Sequence, residues 1–416
     1  MPAVDALVVG AGPAGSTAAY HLARRGFEVV VAEEHPRVGY PVQCAGLISP
    51  RAFDLAGRPP IVRQAIRGAT VLGPSLEPLE FRAPEPRALV IDRGALDVHL
   101  AERAADAGAT FRPAFRFDGR GPDRDGHPVA RFTDGHGQRE EVEARVIVGA
   151  DGVASAVARA FRCRRPLEIL PAFEAEFADA PIDPECVEVY LGRSIAPGLF
   201  GWSIPDGMGG ARIGVAVEAS TVPAREHFRR LVAAIERRHH RPPRTPTSYL
   251  VSGIPIGRIP RTSGDSYVVV GDAAGQVKPL SGGGIFTGMR CAELAAEVVA
   301  DALRDGDVSA GRLARYDQAW TAELGDEFHR ALALRRIFRR LSDADLDDVV
   351  RAMRSAHLEG TIVAFGDIDF PTGVARAVLR QSPSLVRLAP KALGAWLGGS
   401  GPRAPDLDFD ARRIET

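Results

Sequence analysis

Short apolar runs that end at glycines flank an alanine-rich stretch at the start of the chain. Ala6–Val9 is the first run, residues 14–25 form the alanine-rich stretch, and Gly26 closes it as a helix C-cap would. Val29–Ala32 is the next apolar run. Continuous apolar runs of this length are typical of parallel strands that are buried on both faces. The pattern therefore predicts a β-α-β unit at the beginning of the chain.

The same alternation returns further along the chain. Ala88–Ile91 predicts a strand, residues 95–107 predict a helix, and Val146–Gly149 predicts another short strand. Val268–Val270 then leads through glycines to a helix predicted over residues 284–303. Strands that alternate with helices favour a parallel sheet of the α/β class.

Between residues 171 and 257 the pattern changes. Val187–Leu191, Leu199–Ile204 and Ala211–Val217 alternate in polarity or are rich in β-branched residues, and glycine-containing pairs between them supply turns. We therefore expect an antiparallel sheet inserted into the α/β fold.

Composition excludes several classes of protein. The chain has 416 residues, 45% hydrophobic and 25% charged, with a formal net charge of −1, so no overall charge favours nucleic acid. Its cysteines form no C-x-x-C pair, and no metal site is predicted. The chain begins directly in a predicted strand, and no apolar run reaches the ~18–20 residues of a membrane span. We expect a cytoplasmic protein, with or without peripheral contact at a membrane.

Residues 10–15 read Gly-Ala-Gly-Pro-Ala-Gly and fit G-x-G-x-x-G between the first predicted strand and helix. Gly10 allows the tight turn, Gly12 lets the backbone approach a pyrophosphate, and Gly15 lets the helix pack closely on the strand. The helix N-terminus then presents free N–H groups to the phosphates. Glu33 ends the second strand, where a carboxylate binds ribose hydroxyls. These features predict a dinucleotide site.

A second glycine-rich motif indicates which dinucleotide binds. Residues 268–275 read Val-Val-Val-Gly-Asp-Ala-Ala-Gly, and residues 282–285, Gly-Gly-Gly-Ile, open the next helix. Asp272 at the end of a strand is placed to bind ribityl hydroxyls. The positive end of the helix can stabilise a reduced flavin. Because NAD has no ribityl chain, this motif predicts FAD.

Two further features belong to the same site. Residues 149–152, Gly-Ala-Asp-Gly, resemble with Ser155 the Asp-Gly motif of flavoprotein reductases and hydroxylases, which makes Asp151 a cofactor-binding candidate. Arg93 stands where this class places an arginine beside the flavin. The alternative for Arg93 is an ion pair with Asp97 on the next helical turn.

These motifs predict an α/β fold with an α+β insertion. A split Rossmann-like FAD-binding domain covers residues 1–170 and 258–310, and an antiparallel β substrate-binding domain covers 171–257. Residues 50–86 contribute to the substrate side, and 311–416 form a C-terminal helical region.

Together the motifs resemble the para-hydroxybenzoate hydroxylase-type flavoproteins and, within them, the geranylgeranyl reductase family. Residues 38–49 match that family's P-x-x-C-x-G loop, and residues 366–371, Gly-Asp-Ile-Asp-Phe-Pro, and 382–385, Ser-Pro-Ser-Leu, also match. The resemblance covers nearly the whole chain. It implies reduction of isolated C=C bonds in isoprenoid chains, with hydride from the reduced flavin N5 and a proton from elsewhere.

The resemblance also implies a set of residues at the flavin. Cys44 would lie close to it, where it could donate a proton, tune the flavin or only pack. The residues that match the family's flavin positions are Ala14, Glu33, Cys44, Ala45, Leu47, Arg93, Asp272, Gly284 and Ile285.

The family's substrate motif Y-x-W-x-F-P is matched by residues 200–205, Phe-Gly-Trp-Ser-Ile-Pro. Trp202 and Pro205 fit the motif, whereas Phe200 replaces the tyrosine and Ile204 replaces the phenylalanine. The resemblance implies a substrate pocket at Phe200, Trp202 and Pro205, with a more apolar wall than the family's. The alternative is a strand whose aromatic residues pack the core.

Residues 373–397 are predicted to be helical and basic, with no acidic side chain. Such a segment could lie on an anionic membrane to admit a lipid. It could equally form a C-terminal helix pair that closes the pocket.

Other functions remain open at this stage. A flavin-dependent monooxygenase or halogenase is one, although a halogenase needs a lysine near its substrate and this chain has none before Lys278. A quinone-linked electron-transfer flavoprotein usually carries an iron–sulfur cluster, which scattered cysteines do not favour. A flavin or lipid binder without enzymatic activity is the last alternative. NAD(P)H and a small ferredoxin are both open as electron donors.

Overall fold

The computed structural model of the protein describes residues 3–381. In chain order the strands are β1 (Val4–Val9), β2 (Val29–Ala32), β3 (Leu47–Ile48), β4 (Val62–Ile66), β5 (Gly68–Leu72), β6 (Pro78–Arg82), β7 (Ala88–Ile91), β8 (Thr110–Arg112), β9 (Phe115–Arg120), β10 (Val129–Asp134), β11 (Arg139–Gly149), β12 (Glu168–Asp179), β13 (Cys186–Tyr190), β14 (Gly201–Pro205), β15 (Ala211–Ala216), β16 (Arg244–Ile256), β17 (Ser263–Gly264) and β18 (Tyr267–Val269).

The helices lie between these strands and fill the C-terminal part of the described chain. They are α1 (Pro13–Ala23), α2 (Pro50–Leu55), α3 (Arg93–Asp106), α4 (Ala156–Ala160), α5 (Ala224–His239), α6 (Ile285–Asp305), α7 (Ala310–Phe338), α8 (Asp343–Ser355), α9 (Glu359–Phe365) and α10 (Thr372–Gln381). A short 3₁₀ turn, Gly271–Ala274, follows β18.

The first sheet carries the predicted β-α-β unit. Its order is β17-β18-β11-β1-β2-β8, and β9 and β10 extend it from β11. β1 pairs in parallel with β2 and β11, and β18 pairs in parallel with β11. Alanines of α1 and α6 pack against each other over the apolar strands, which lets both helices approach the sheet closely. The carboxyl ends of the parallel strands consequently meet at one edge, where open α/β sheets bind their ligands.

The second sheet differs from the predicted antiparallel insertion in two respects. Its order is β16-β12-β15-β14-β13-β5-β6, and β13 pairs in parallel with β5, which comes from far upstream in the chain. The sheet is therefore mixed, because its other strand pairs are antiparallel. In addition, α5 was not predicted. Its Phe228, Leu231 and Ile235 are buried against the outer face of the sheet.

A small antiparallel sheet, β3-β7-β4, lies next to the first two, and β7 has the predicted bounds. The predicted fold class, an α/β fold with a Rossmann-like β-α-β unit, an inserted sheet and C-terminal helices, is confirmed. No helix within residues 3–381 is long and apolar enough to cross a membrane. The family match at 382–385 lies outside the described residues, as does most of the basic segment predicted over 373–397.

Candidate flavin and substrate site

One cavity of about 1110 Å³ lies between the carboxyl ends of the parallel strands and the inner face of the seven-stranded sheet. Small-molecule clefts usually enclose ~300–1,000 Å³. Gly15 and Pro205 do not line this cavity. The predicted site residues that line it are Gly10, Gly12, Ala14, Glu33, Cys44, Ala45, Leu47, Arg93, Asp151, Phe200, Trp202, Asp272, Gly284 and Ile285.

At one end of the cavity, α1 begins directly after β1. Gly10 has a φ of +101°, which other residues rarely adopt, and a Cβ on Gly15 would lie 1.9 Å from the carbonyl oxygen of Gly10. Gly12 is the N-cap residue and supplies no side-chain cap, and a Cβ there would meet no heavy atom within 4 Å. The N–H groups of the first helical turn therefore face open space in which a phosphate would be stabilised.

Glu33 follows β2 beside this helix start. One carboxylate oxygen accepts a hydrogen bond from the N–H of Ala11 at 2.8 Å, and the other accepts from the N–H of His35 at 3.0 Å. Nδ1 of His35 also lies 2.7 Å from Oε1, so Oε2 is the oxygen that retains a lone pair for a further donor. The carboxylate is thus held in a fixed position at the cavity edge, which supports the predicted contact with a ribose.

Asp272 lies in the 3₁₀ turn after β18, and Gln276 fixes this turn. The side-chain oxygen of Gln276 accepts from the N–H of Gly271 at 2.8 Å, and its amide donates to the hydroxyl of Tyr316 on α7 at 2.7 Å. A Cβ on Gly284 would lie 2.8 Å from Oδ1 of Asp272, so the carboxyl adjoins the start of α6. Burial raises the pKa of Asp272 to about 6, although the positive charge of Arg93 opposes the rise.

The start of α6 resembles that of α1. Its N-cap residue, Gly284, supplies no side-chain cap, and the helix continues for 21 residues. The first-turn N–H groups and the helix dipole are therefore available at the cavity wall. This arrangement suits the negatively charged edge of a reduced flavin.

Arg93 is the first residue of α3. It forms the ion pair with Asp97 that the sequence offered as an alternative, and it also lines the cavity. Its Nε is buried and has no hydrogen-bond partner within residues 3–381. The ion pair and a cofactor contact are therefore compatible, since one donor of the guanidinium stays free.

Cys44 lies in the loop before β3. Its Sγ accepts a hydrogen bond from the N–H of Gly46 at 3.4 Å, and the carbonyl of Ala45 accepts one from Nη1 of Arg212 at 2.7 Å. Burial raises the pKa of the Cys44 thiol, and the nearby Arg93 guanidinium opposes the rise. The side chain is consequently a neutral thiol at physiological pH.

The carboxylate of Asp151 is bound within the chain. Its Oδ1 accepts from the hydroxyl of Ser155 at 2.5 Å, and its Oδ2 accepts from the N–H groups of Ala156 and Val157 at 2.6 and 3.0 Å. Asp151 therefore caps the short helix α4 while it borders the cavity. Its contact with a cofactor stays a prediction.

The inner face of the seven-stranded sheet forms the other end of the cavity. Trp202 and Ile204 alternate along β14 toward the cavity, and Phe200 precedes them on the same side. Pro205 follows Ile204 and is buried on the opposite face, since successive strand residues point to opposite sides. The expected pocket residues are thus divided between the two faces, and Trp202 both packs against the core and borders the cavity.

Glu174 and Lys278 are among the cavity residues that were not identified as site residues from the sequence. Glu174 is in the strand pattern Ala-Phe-Glu-Ala-Glu, in which a carboxylate normally faces solvent, yet here that face is the cavity wall. Lys278 lines the cavity and forms a buried ion pair with Asp369 at 2.9 Å. The sequence feature that could have drawn attention to Lys278 is the scarcity of lysine, because the chain contains only two.

These residues fit a dinucleotide that carries a flavin. Two helix N-termini without side-chain caps face one cavity, and a buried guanidinium there retains a free donor. The carboxyl group of Asp272 adjoins the second helix start.

Comparison with known proteins agrees with this geometry. A family model described as an FAD binding domain matches residues 3–322. Digeranylgeranylglycerophospholipid reductase 2 of Methanothermobacter thermautotrophicus is 36% identical over 85% of this chain and 92% of its own length. The chain belongs to the digeranylgeranylglycerophospholipid reductase family. It carries an FAD-binding domain, and the resemblance inferred from the motifs is confirmed.

Solved structures support the fold of this reductase family member. A geranylgeranyl bacteriochlorophyll reductase-like protein from Thermoplasma acidophilum has a TM-score of 0.82 and 24% identity, over 94% of this chain and all of that chain. A flavin-dependent halogenase has a TM-score of 0.67 and 20% identity, over 96% of this chain and 78% of its own. At these identities both comparisons show a shared fold alone.

Proposed function

We propose that the protein is an FAD-dependent reductase that saturates C=C bonds in the geranylgeranyl-type chains of a lipid or diphosphate. The single observation that carries this proposal is the continuity of the cavity. The predicted flavin-binding residues and the apolar face of the seven-stranded sheet line the same space. An isoprenoid chain on that face would reach the flavin end without leaving the cavity.

The chemistry that bound, reduced FAD supplies is a hydride for one carbon of the double bond, while the other carbon takes a proton. The chain's own part is to bind and to orient. The helix starts at Gly12 and Gly284 stabilise negative charge, and Asp272 and Glu33 hold hydroxyl groups. Val187, Leu250 and the other apolar residues of the sheet exclude water from the chain that is reduced.

The contacts of Lys278, the first lysine of the chain, do not support the halogenase alternative. Lys278 donates to the carbonyl of Ile368 at 2.9 Å and to Asp369 at 2.9 Å, and its side chain is 7% exposed. An ammonium group held in this way is bound to the protein and not directed at a substrate.

The test is a product analysis. The protein is reduced with dithionite and incubated without oxygen with a digeranylgeranyl glycerolipid or geranylgeranyl diphosphate, and the lipid is analysed by mass spectrometry. We expect a gain of two hydrogens for each double bond reduced. An unchanged lipid from a protein that contains flavin would reject the proposal.

We further propose that the electron donor is NAD(P)H or a small ferredoxin, and that the protein meets its lipid at a membrane surface. Separate reduction of the flavin by NADH, NADPH and reduced ferredoxin distinguishes the donors. Sedimentation with anionic vesicles tests the contact, and a protein that stays in the supernatant would contradict it.

A further inference from the structure

Glu174 lies in the middle of β12 on the cavity side of the seven-stranded sheet. It is paired with Gly214 of β15, and Gly214 is paired in turn with Trp202 of β14. A Cβ on Gly214 would lie 2.4 Å from the Trp202 indole. The missing side chain therefore lets the indole lie across β15, where its Nε1 donates to Oε2 of Glu174 at 2.7 Å.

The second carboxyl oxygen of Glu174 has no hydrogen-bond donor within residues 3–381. Glu174 is only 4% exposed, yet it lines the cavity. Arg212, whose positive charge acts on Glu174, makes its hydrogen bonds elsewhere: its Nη1 donates to the carbonyls of Ala45 and Ile91 at 2.7 and 3.2 Å, and its Nε to Glu176 at 3.1 Å. One oxygen is thus held by the indole while the other borders the space for a substrate.

These surroundings favour the neutral acid. Burial raises the pKa of Glu174 to about 7, the Trp202 hydrogen bond and the Arg212 charge oppose the rise, and the Glu176 carboxylate adds to it. A carboxyl whose pKa lies near neutrality can hold its proton at neutral pH and still give it up, which is the condition for an efficient general acid.

Glu174 lies next to the loop that is expected to contact the flavin. Arg212 links the two, since it approaches Glu174 on the sheet and also holds the carbonyl of Ala45. The Glu174 charge is close enough to Cys44 to raise the pKa of that thiol. The carboxyl is therefore at the boundary between the flavin end and the apolar end of the cavity.

Three other carboxyls that line the cavity are occupied by hydrogen bonds. Glu33 binds the N–H groups of Ala11 and His35, and Asp151 caps α4. Glu188 accepts hydrogen bonds from Tyr190, Arg238 and His239. The carboxyl of Asp272 accepts none within residues 3–381, but it adjoins the start of α6 at the flavin end of the cavity.

We infer that Glu174 is the catalytic acid that donates the proton to the double bond, an assignment that rests on the proposed function. The O–H bond of the carboxyl breaks, and a C–H bond forms on the alkene carbon that does not receive the hydride. The other hydrogen and both electrons come from the reduced flavin. The carboxylate that remains is stabilised by the Trp202 N–H and by Arg212, and it regains a proton from water.

Glu174→Gln tests the assignment, because glutamine accepts the Trp202 hydrogen bond but carries no acidic proton. Asp179→Asn, at the end of the same strand and 41% exposed, is the control, and Glu174→Asp tests rescue. Flavin content and dithionite reduction are measured first. We expect both to stay unchanged in all variants.

The first readout does not depend on turnover. The infrared band of a protonated carboxyl is followed against pH in the flavin-loaded protein without lipid. We expect a band that is lost near pH 7 in the wild type and in Asp179→Asn, and that is missing in Glu174→Gln. A band that persists unchanged in Glu174→Gln would overturn the assignment.

The second readout is single-turnover oxidation of the reduced flavin by lipid. We expect a roughly 10²–10⁴-fold slower step in Glu174→Gln, partial recovery in Glu174→Asp, and less than about a threefold change in Asp179→Asn. The wild-type rate falls as pH rises above about 7, because the acid form is lost, and Glu174→Gln loses this dependence. If Glu174→Gln oxidises the flavin at the wild-type rate, the assignment of Glu174 is wrong, while the proposed function still stands. A wild type that reduces no lipid would overturn the proposed function and the assignment with it.

Discussion

Lys278 and Asp369 form a buried ion pair that ties the loop before α6 to the segment that leads into α10. Their side chains are 7% and 1% exposed, and Nζ lies 2.9 Å from Oδ1. Replacing Lys278 with methionine keeps the apolar stem but leaves Asp369 as an unpaired buried charge. The structure therefore predicts a large loss of stability from this single change.

The magnitude follows from what remains around Asp369. Nη1 of Arg51 lies 3.9 Å from it, but Arg51 is 54% exposed and already binds Asp367 at 2.6 Å, so it compensates little. Breaking a buried pair by removing one partner typically costs about 3–5 kcal/mol. We expect Lys278→Met to lower the free energy of unfolding by about 3 kcal/mol. The double variant Lys278→Met/Asp369→Asn leaves no buried charge and should cost less than the single variant.

The assay is urea unfolding at a fixed saturating concentration of FAD, since bound ligand adds to the measured stability. Arg58→Met is the matched control, because its pair with Asp54 is exposed to solvent and contributes little to stability. If Lys278→Met lowers the free energy of unfolding no more than Arg58→Met does, the reasoning is refuted. Additive effects of the two substitutions in the double variant would refute it as well.

Further predictions concern the cavity. Gly15→Val should separate α1 from β1, because a Cβ there meets a backbone oxygen at 1.9 Å, and purified protein should have lost its flavin. Asp272→Ala should sharply lower the ratio of flavin to protein, and full flavin occupancy would reject its assigned role. Cys44→Ser should keep FAD bound, and if it also retains full C=C reduction, a chemical role for the thiol is excluded. Gly214→Ala should displace the Trp202 indole and break its hydrogen bond to the carboxyl on β12, which lipid turnover and the carboxyl infrared band both measure.

The sequence correctly predicted those strands and helices whose structure depends on residues close to them in the chain. Val29–Ala32 is a strand with the predicted bounds, since a short apolar run after a helix that ends at a glycine is typical of a buried parallel strand. The glycine motif at 10–15 placed α1 for the same reason, since the turn and the close approach both exclude side chains.

Features that depend on distant contacts were not predicted. The parallel pairing of β5 with β13 joins segments more than a hundred residues apart, and no turn signal records it. The amphipathic α5 lies within residues 171–257, which were interpreted as an antiparallel sheet from strand patterns and turns that all precede this helix.

In the site, too, the residues recognised from the sequence belong to local motifs, and those that were missed depend on distant contacts. Residues that act through the backbone, such as Gly12 and Gly284, were identified from motifs. Glu174 was missed because a carboxylate that alternates with apolar residues looks solvent-facing, and only the fold reveals that this face of β12 borders a cavity. Asp151 was recognised, but its capping of α4 was not foreseen.

The most direct test of the account is the stoichiometry of flavin oxidation by lipid. The protein is reduced with one equivalent of dithionite without oxygen and mixed with a digeranylgeranyl glycerolipid, while the fully saturated lipid serves as the control. The account predicts that the unsaturated lipid oxidises the flavin, with one double bond reduced for each flavin, and that the saturated lipid does not. A flavin that stays reduced until oxygen is admitted, with turnover only when oxygen and an aromatic substrate are supplied, would contradict it and would favour an oxygenase.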